Sequence, residues 1–225
     1  MIFVTNAWDW LKSSSQWHGS DGIPVRLLEH LGYTGLSLLV AAIIALPLGM
    51  AIGHYGRGGF LVVNLASAWR AIPTLGLLIL LIIATGSLIV SWLVPLVVLA
   101  IPPILVNAYE GVAGVDPDLK DAAKGMGLTG WQVLRKVEFP VALPLIMLGL
   151  RTAAIFVVAT ATIAAEIGLG GLGRYIIDGL ATDNYAEVAG GAVLVVALAL
   201  LVQVIFTAAG YLVVPAPLRA RARAS

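Results

Sequence analysis

Long uncharged blocks dominate the chain. Leu31–Gly53 has no charged residue over 23 positions, Ala71–Tyr109 none over 39 and Val188–Val214 none over 27, while Pro140–Ala165 is apolar apart from Arg151. About 20 such residues in a helix cross the roughly 30 Å hydrocarbon layer of a bilayer. The 39-residue block would run about 58 Å as one helix, so it must turn, and Gly86-Ser87 is the natural break. Its first half is too short alone and is extended back to Phe60, taking in Arg70. The pattern predicts five spans at about 31–53, 60–85, 88–109, 142–165 and 188–214, which makes the fold all-α and polytopic. The organisation is an external segment 1–30, a transmembrane domain 31–214 containing a structured loop 110–140, and a basic tail 215–225.

Composition supports this reading. Of 225 residues, 60% are hydrophobic and 11% charged, with a net charge of +1, against about 25% charged in a soluble domain. A soluble globular domain, a disordered chain and a nucleic-acid binder are excluded. There is no Cys, hence no disulfide, thiolate-zinc site or thiol nucleophile. Lys and Arg are asymmetric across the predicted loops. Arg57, Lys120, Lys124, Arg135, Lys136, Arg219, Arg221 and Arg223 fall on one side, and Lys12, Arg26 and Arg174 on the other. The richer side is cytoplasmic by the positive-inside rule, which places the N-terminus outside and the C-terminus inside the cell membrane. Residues 1–30 lack the basic start and apolar run of a signal peptide; Trp8, Trp10 and Trp17 read as interfacial anchors.

The 110–140 loop has the clearest local structure. Asp116 is a good N-cap and Pro117 suits the first helical position. The following residues continue a helix with Leu119, Ala122, Ala123 and Met126 at near-helical spacing, and Gly125 and Gly127 end it. Thr129 caps a second short helix, 130–137, with Pro140 and Pro144 punctuating its exit. Elsewhere chemistry is scarce. Gly168–Gly173 spells G-x-G-x-x-G but follows an apolar helix, so it reads as a tight, mobile turn with positive φ rather than a dinucleotide site. No P-loop lysine motif and no H-E-x-x-H is present, and His18, His30 and His54 are scattered in or near loops. Neither a catalytic nor a metal site is expected. Arg70, Asn107, Thr160, Thr162 and Glu166 are the polar candidates for a pathway or gate, each weighed against snorkelling, an interhelical hydrogen bond or simple solvation. Glu166, Asp178, Asp183 and Glu187 against Arg174 form an acidic collar.

Asp121-Ala122-Ala123, three residues, Gly127, nine residues, then Val137-Glu138-Phe139-Pro140 is similar to the E-A-A-x3-G-x9-I-x-L-P loop of the permease subunits of binding-protein-dependent ABC importers, with three conservative departures. The stretches Asn107–Ala153, Ala159–Ile176 and Arg70–Leu81 resemble the osmoprotectant branch, the importers of glycine betaine, carnitine and choline, over about residues 29–190. The resemblance implies a type I importer core and a non-enzymatic chain. It implies as partners an ABC ATPase subunit carrying ATP and Mg, an extracytoplasmic substrate-binding protein, and a second permease, identical or different, within the lipid bilayer. It also implies an ATPase-coupling role for Asp116, Asp118, Asp121, Ala122, Ala123, Gly127, Val137 and Pro140. An amino-acid importer of the methionine type is the alternative substrate reading. A stand-alone channel or secondary carrier is the alternative class, disfavoured because no predicted span has Asp, Glu or His in its middle.

Overall fold

A computed structural model describes residues 2–69 and 71–215. The described residues form helices α1 (Ile2–Lys12), α2 (Ile23–Tyr55), α3 (Gly59–Trp69), α4 (Thr74–Thr85), α5 (Leu88–Ala113), α6 (Pro117–Gly125), α7 (Gly130–Val133), α8 (Phe139–Thr160), α9 (Gly173–Ala181) and α10 (Tyr185–Val213), with no strand among them. Four helical stretches are long and apolar enough to cross a membrane: Ile23–Tyr55, Leu88–Ala113, Gly130–Ile167 and Tyr185–Val213. Residues 216–225 of the predicted basic tail, and Arg70, lie outside the described residues.

The expected single span 60–85 is instead two helices, α3 and α4. Pro73 explains the interruption: it caps α4 in an extended conformation (φ −69°, ψ 109°), and proline both removes a helical donor and pushes the residue before it out of the α region. The predicted turn at Gly86 is present, with φ 64° and its N–H bonded to the Ile82 carbonyl at 2.9 Å. Helix α2 begins eight residues before the predicted span, so Arg26, Glu29 and His30 are helical rather than in a loop.

Two compact units emerge, one from residues 2–39, 72–97 and 154–202, the other from 40–69, 71, 98–153 and 203–215. In the second, small residues set the helix spacing. A Cβ on Gly49 would lie 2.6 Å from the Leu105 carbonyl oxygen and 2.8 Å from Ala108 Cβ; one on Gly53 would lie 2.8 Å from both the Tyr109 oxygen and Val112 Cβ. Glycines four apart on α2 thus let its backbone lie directly on α5, the packing that membrane helices use where lipid supplies no hydrophobic drive. Ala108, Val112, Ala142 and Ile146 form the buried cluster, flanked by Leu46, Met50, Leu134 and Leu150. Arg151 in α8 reaches Thr207 in α10, donating a hydrogen bond of 3.4 Å.

In the first unit, Trp10 is buried against Tyr175 at a ring-centroid distance of 5.0 Å and occupies the space a side chain on Gly190 would need. Of the three N-terminal indoles expected at an interface, only Trp8 and Trp17 are exposed; the missing Cβ of Gly190 is what admits Trp10. Tyr175 donates its hydroxyl to the Asp21 carbonyl at 2.7 Å, and burial pushes its pKa up to about 12.

Candidate coupling site

The 114–140 segment is built from local capping chemistry. Asp116 accepts from the Asp118 N–H at 2.9 Å at the head of α6, with Pro117 in the first turn. At the other end Gly127 sits at φ +83°. Its N–H bonds to Lys124 O at 2.8 Å, and the Leu128 N–H bonds to Ala123 O at 3.2 Å. This is the paired 6→1 and 5→2 pattern of a Schellman cap with glycine at the left-handed position. Nothing lies within 4 Å of a Cβ placed on Gly127, so the demand for glycine comes from backbone conformation and not from crowding. The Thr129 N–H then bonds to Gln132 Oε1 at 2.8 Å to open α7.

The second helix does not stop at Val137. It runs on through a wide π turn, Leu134–Glu138, into α8, with the Phe139 N–H bonding to Leu134 O. The expectation that Pro140 and Pro144 end the helix is therefore corrected. A proline ring clashes with the carbonyl four residues back in regular α geometry. The π turn placed directly before Pro140 widens the backbone there, and the helix continues.

Within α6, only Ala123 is buried and Lys120 half-buried; the other side chains are exposed. Asp118, Asp121 and Ala122 face solvent, and Asp121 lies 3.3 Å from Lys124. Leu119 (44% exposed), Met126 (74%) and Trp131 (68%) put three large apolar groups on the outside of one short loop, more apolar surface than a merely solvated loop has reason to expose. Val137 lies half-buried in the π turn, and Pro140 half-buried in the first turn of α8.

Behind this surface is a group that sequence reasoning missed. Glu138 is 1% exposed, with Oε2 2.5 Å from His54 Nδ1 and Oε1 3.2 Å from Lys120 Nζ. With the carboxylate ionised, Nδ1 must carry the proton between them. Lys120 Nζ also donates to Val112 O at 3.0 Å. His54 thus sits in the last turn of α2, beside the loop, and is paired. A buried charge must be paired, and no local pattern announces partners 84 and 18 positions away.

The polar pathway candidates do not converge on one described cluster. Asn107 donates Nδ2 to Pro103 O on its own helix at 2.7 Å, and it faces the close approach of Gly149. Thr160 ends α8, where the helix tightens into a 3₁₀ segment, Ala161–Ile167, in which Thr162 Oγ1 donates to Ala159 O at 2.8 Å. Glu166 is exposed near the end of that segment. The glycine turn that follows has the expected positive φ at Gly168 (82°) and Gly171 (87°). It is tethered rather than free: the Gly171 N–H donates to Glu29 Oε2 at 2.7 Å, and Glu29 in turn pairs with Arg26 at 3.0 Å. In the collar, Arg174 is committed to Asp178 (Nε–Oδ2 2.9 Å), which leaves Glu166, Asp183 and Glu187 without that counter-charge. No group of three or more His, Cys, Asp or Glu among the described residues is arranged to hold a metal.

Comparison with known proteins agrees with this geometry. The profile of the binding-protein-dependent transport system inner membrane component matches residues 39–218. The glycine betaine/carnitine/choline transport system permease protein of Bacillus subtilis (strain 168) is 38% identical over 175 residues, 78% of this chain and 81% of that protein. A carnitine transport permease protein of Listeria monocytogenes is 33% identical over 195 residues, 87% of this chain and 89% of that protein. Among solved structures, the MetNI methionine ABC transporter in an inward-facing conformation superposes with a TM-score of 0.72 at 26% identity, covering 84% of this chain and 95% of that one. A capped helix presented on a loop between apolar helices, a matching profile over most of the length and relatives above 30% identity agree: this chain belongs to the binding-protein-dependent transport system inner membrane components, the permease subunits of ABC importers.

Proposed function

We propose that the solutes carried by this permease are osmoprotectants of the glycine betaine, choline and carnitine type, delivered by a separate binding protein and driven by a separate ATPase subunit that binds ATP and Mg. The observation that carries the substrate class is the 38% identity to the Bacillus subtilis permease named for those three solutes, over 78% of the chain. The methionine reading is favoured by a fold match alone, at the lower identity of 26%. Two permease subunits, identical or different, enclose the pathway. The test is uptake of labelled betaine, choline, carnitine, proline and methionine by the reconstituted importer with its binding protein. Saturable uptake of a quaternary ammonium solute, unaffected by excess methionine, is expected. Uptake of methionine alone would reverse the assignment.

In this reading α6 and its flanking caps are the coupling element. The acidic Asp118 and Asp121 and the apolar Leu119, Met126 and Trp131 are what the ATPase subunit meets, and Gly127 lets the chain reverse into α7. The loop is then cytoplasmic, the N-terminus outside and the C-terminus inside, with α3 and α4 together making one crossing. Reporter fusions after Ser20 and after Ser225 are expected to report opposite sides of the membrane; the same side for both would sink this topology.

A further inference from the structure

Seven of the nine residues of α6 are exposed, and only Ala123 and Lys120 turn inward. Ala123 offers a small apolar contact, which holds a helix down but lets it slide. Lys120 offers a directional one. Its ammonium lies between Glu138 Oε1 (3.2 Å) and the Val112 carbonyl (3.0 Å), and the other oxygen of the same carboxylate is 2.5 Å from His54 Nδ1. One buried carboxylate at the π turn that opens α8 therefore joins α6 to the end of α2, while Lys120 itself ties α6 to the end of α5. Such a group is not there chiefly for net stability, because desolvation offsets most of what a buried ion pair gains. What it supplies is a fixed geometry, since both oxygens are committed and the Lys120 ammonium is held between Glu138 Oε1 and the Val112 carbonyl.

We infer that Glu138 is a positioning residue for energy coupling: from the head of α8 it clasps α6 to α2, so that a displacement imposed on α6 passes to the transmembrane helices as a rigid-body movement. The inference rests on the coupling role proposed above for α6. Loss of the clasp should leave α6 folded and able to bind its partner, because its caps and its exposed face do not involve Glu138. It should instead let α6 move without the helices following, so that ATP is spent without transport.

The experiment uses the reconstituted importer with its ATPase and binding protein, and measures ATP hydrolysed per solute imported, with ATPase co-purification as the control for assembly. Glu138→Gln is one variant. The double variant Lys120→Met/Glu138→Gln is the second, since it leaves neither of those two charges buried alone and so separates the clasp from a folding defect. Both are expected to retain the ATPase and to raise the ATP consumed per solute about tenfold, in the range seen for residues along a coupling route. Lys120→Arg, which keeps the charge and reach, should stay within about twofold of the unaltered protein. An unaltered ratio in Glu138→Gln, a ratio restored in the double variant, or loss of the assembled complex in both would overturn the clasp. Uncoupling by Gly127→Val beside normal coupling in Glu138→Gln overturns the clasp while the coupling role of α6 stands. Failure of the unaltered chain to capture the ATPase overturns both.

Discussion

Gly127→Val is expected to lower ATPase co-purification and binding-protein-stimulated ATP hydrolysis about tenfold at matched amounts of permease in the membrane, the factor that about 1–2 kcal/mol of left-handed strain corresponds to. Gly127 is at φ +83° and closes the Schellman cap through its own N–H and that of Leu128. A β-branched residue is a genuine outlier at such an angle, so the chain would relieve the strain by unwinding the end of α6 and re-aiming it. The space around an added Cβ is open within this chain, so the defect cannot be ascribed to a clash that disrupts the transmembrane core. Gly127→Asn, which tolerates the left-handed region, should come much closer to the unaltered protein. Pull-down of the ATPase and hydrolysis assays on the three proteins check this. Full activity in Gly127→Val would remove the cap from the coupling mechanism.

Asp121→Lys should abolish most docking while leaving the permease itself as stable as before. The Asp121 side chain is 75% exposed and that of Lys124, 3.3 Å away, is 61% exposed. An ion pair so exposed contributes little to a fold, and the helix keeps its caps at Asp116 and Gly127. The expected loss therefore belongs to the partner surface, where a reversed charge replaces attraction by repulsion. It should ease as salt is raised, because exposed charges are screened within about 8–10 Å at 0.1–0.15 M ionic strength. The measurement is ATPase capture by the unaltered and Asp121→Lys permeases across a salt series, with thermal unfolding of each permease as the control. Equal capture at low salt would show Asp121 to be only solvated.

The two ends of α6 were legible in the sequence because caps are local. Asp116-Pro117 and Gly127 obey rules that act within about one turn of helix, and the structure places α6 where those rules put it. The break between α3 and α4 was also written locally, in Ile72-Pro73, but the requirement for enough length to cross a bilayer outweighed it. The early start of α2 had its signal too, since Pro24 stands in its first turn, directly after Ile23, where proline is favoured; the charges of Arg26 and Glu29 obscured it. Trp10 is different. Its burial depends on Gly190, far away in sequence, and an indole near a terminus looks the same whether it meets lipid or a glycine. Glu138 is the extreme case. It sat inside the recognised loop motif as an unremarkable charged position, and only the folded chain brings His54 and Lys120 to its two oxygens.

The central claim, that this chain is the conduit of an importer powered by a separate ATPase, is tested most directly by solute uptake into vesicles holding the permease, with ATPase and binding protein added or withheld. Accumulation of betaine or choline against its gradient is expected only when binding protein is present on the outer side and ATP on the ATPase side, and it should stop when either is removed. Accumulation driven by an ion gradient without ATP, or simple equilibration without the binding protein, would contradict the account.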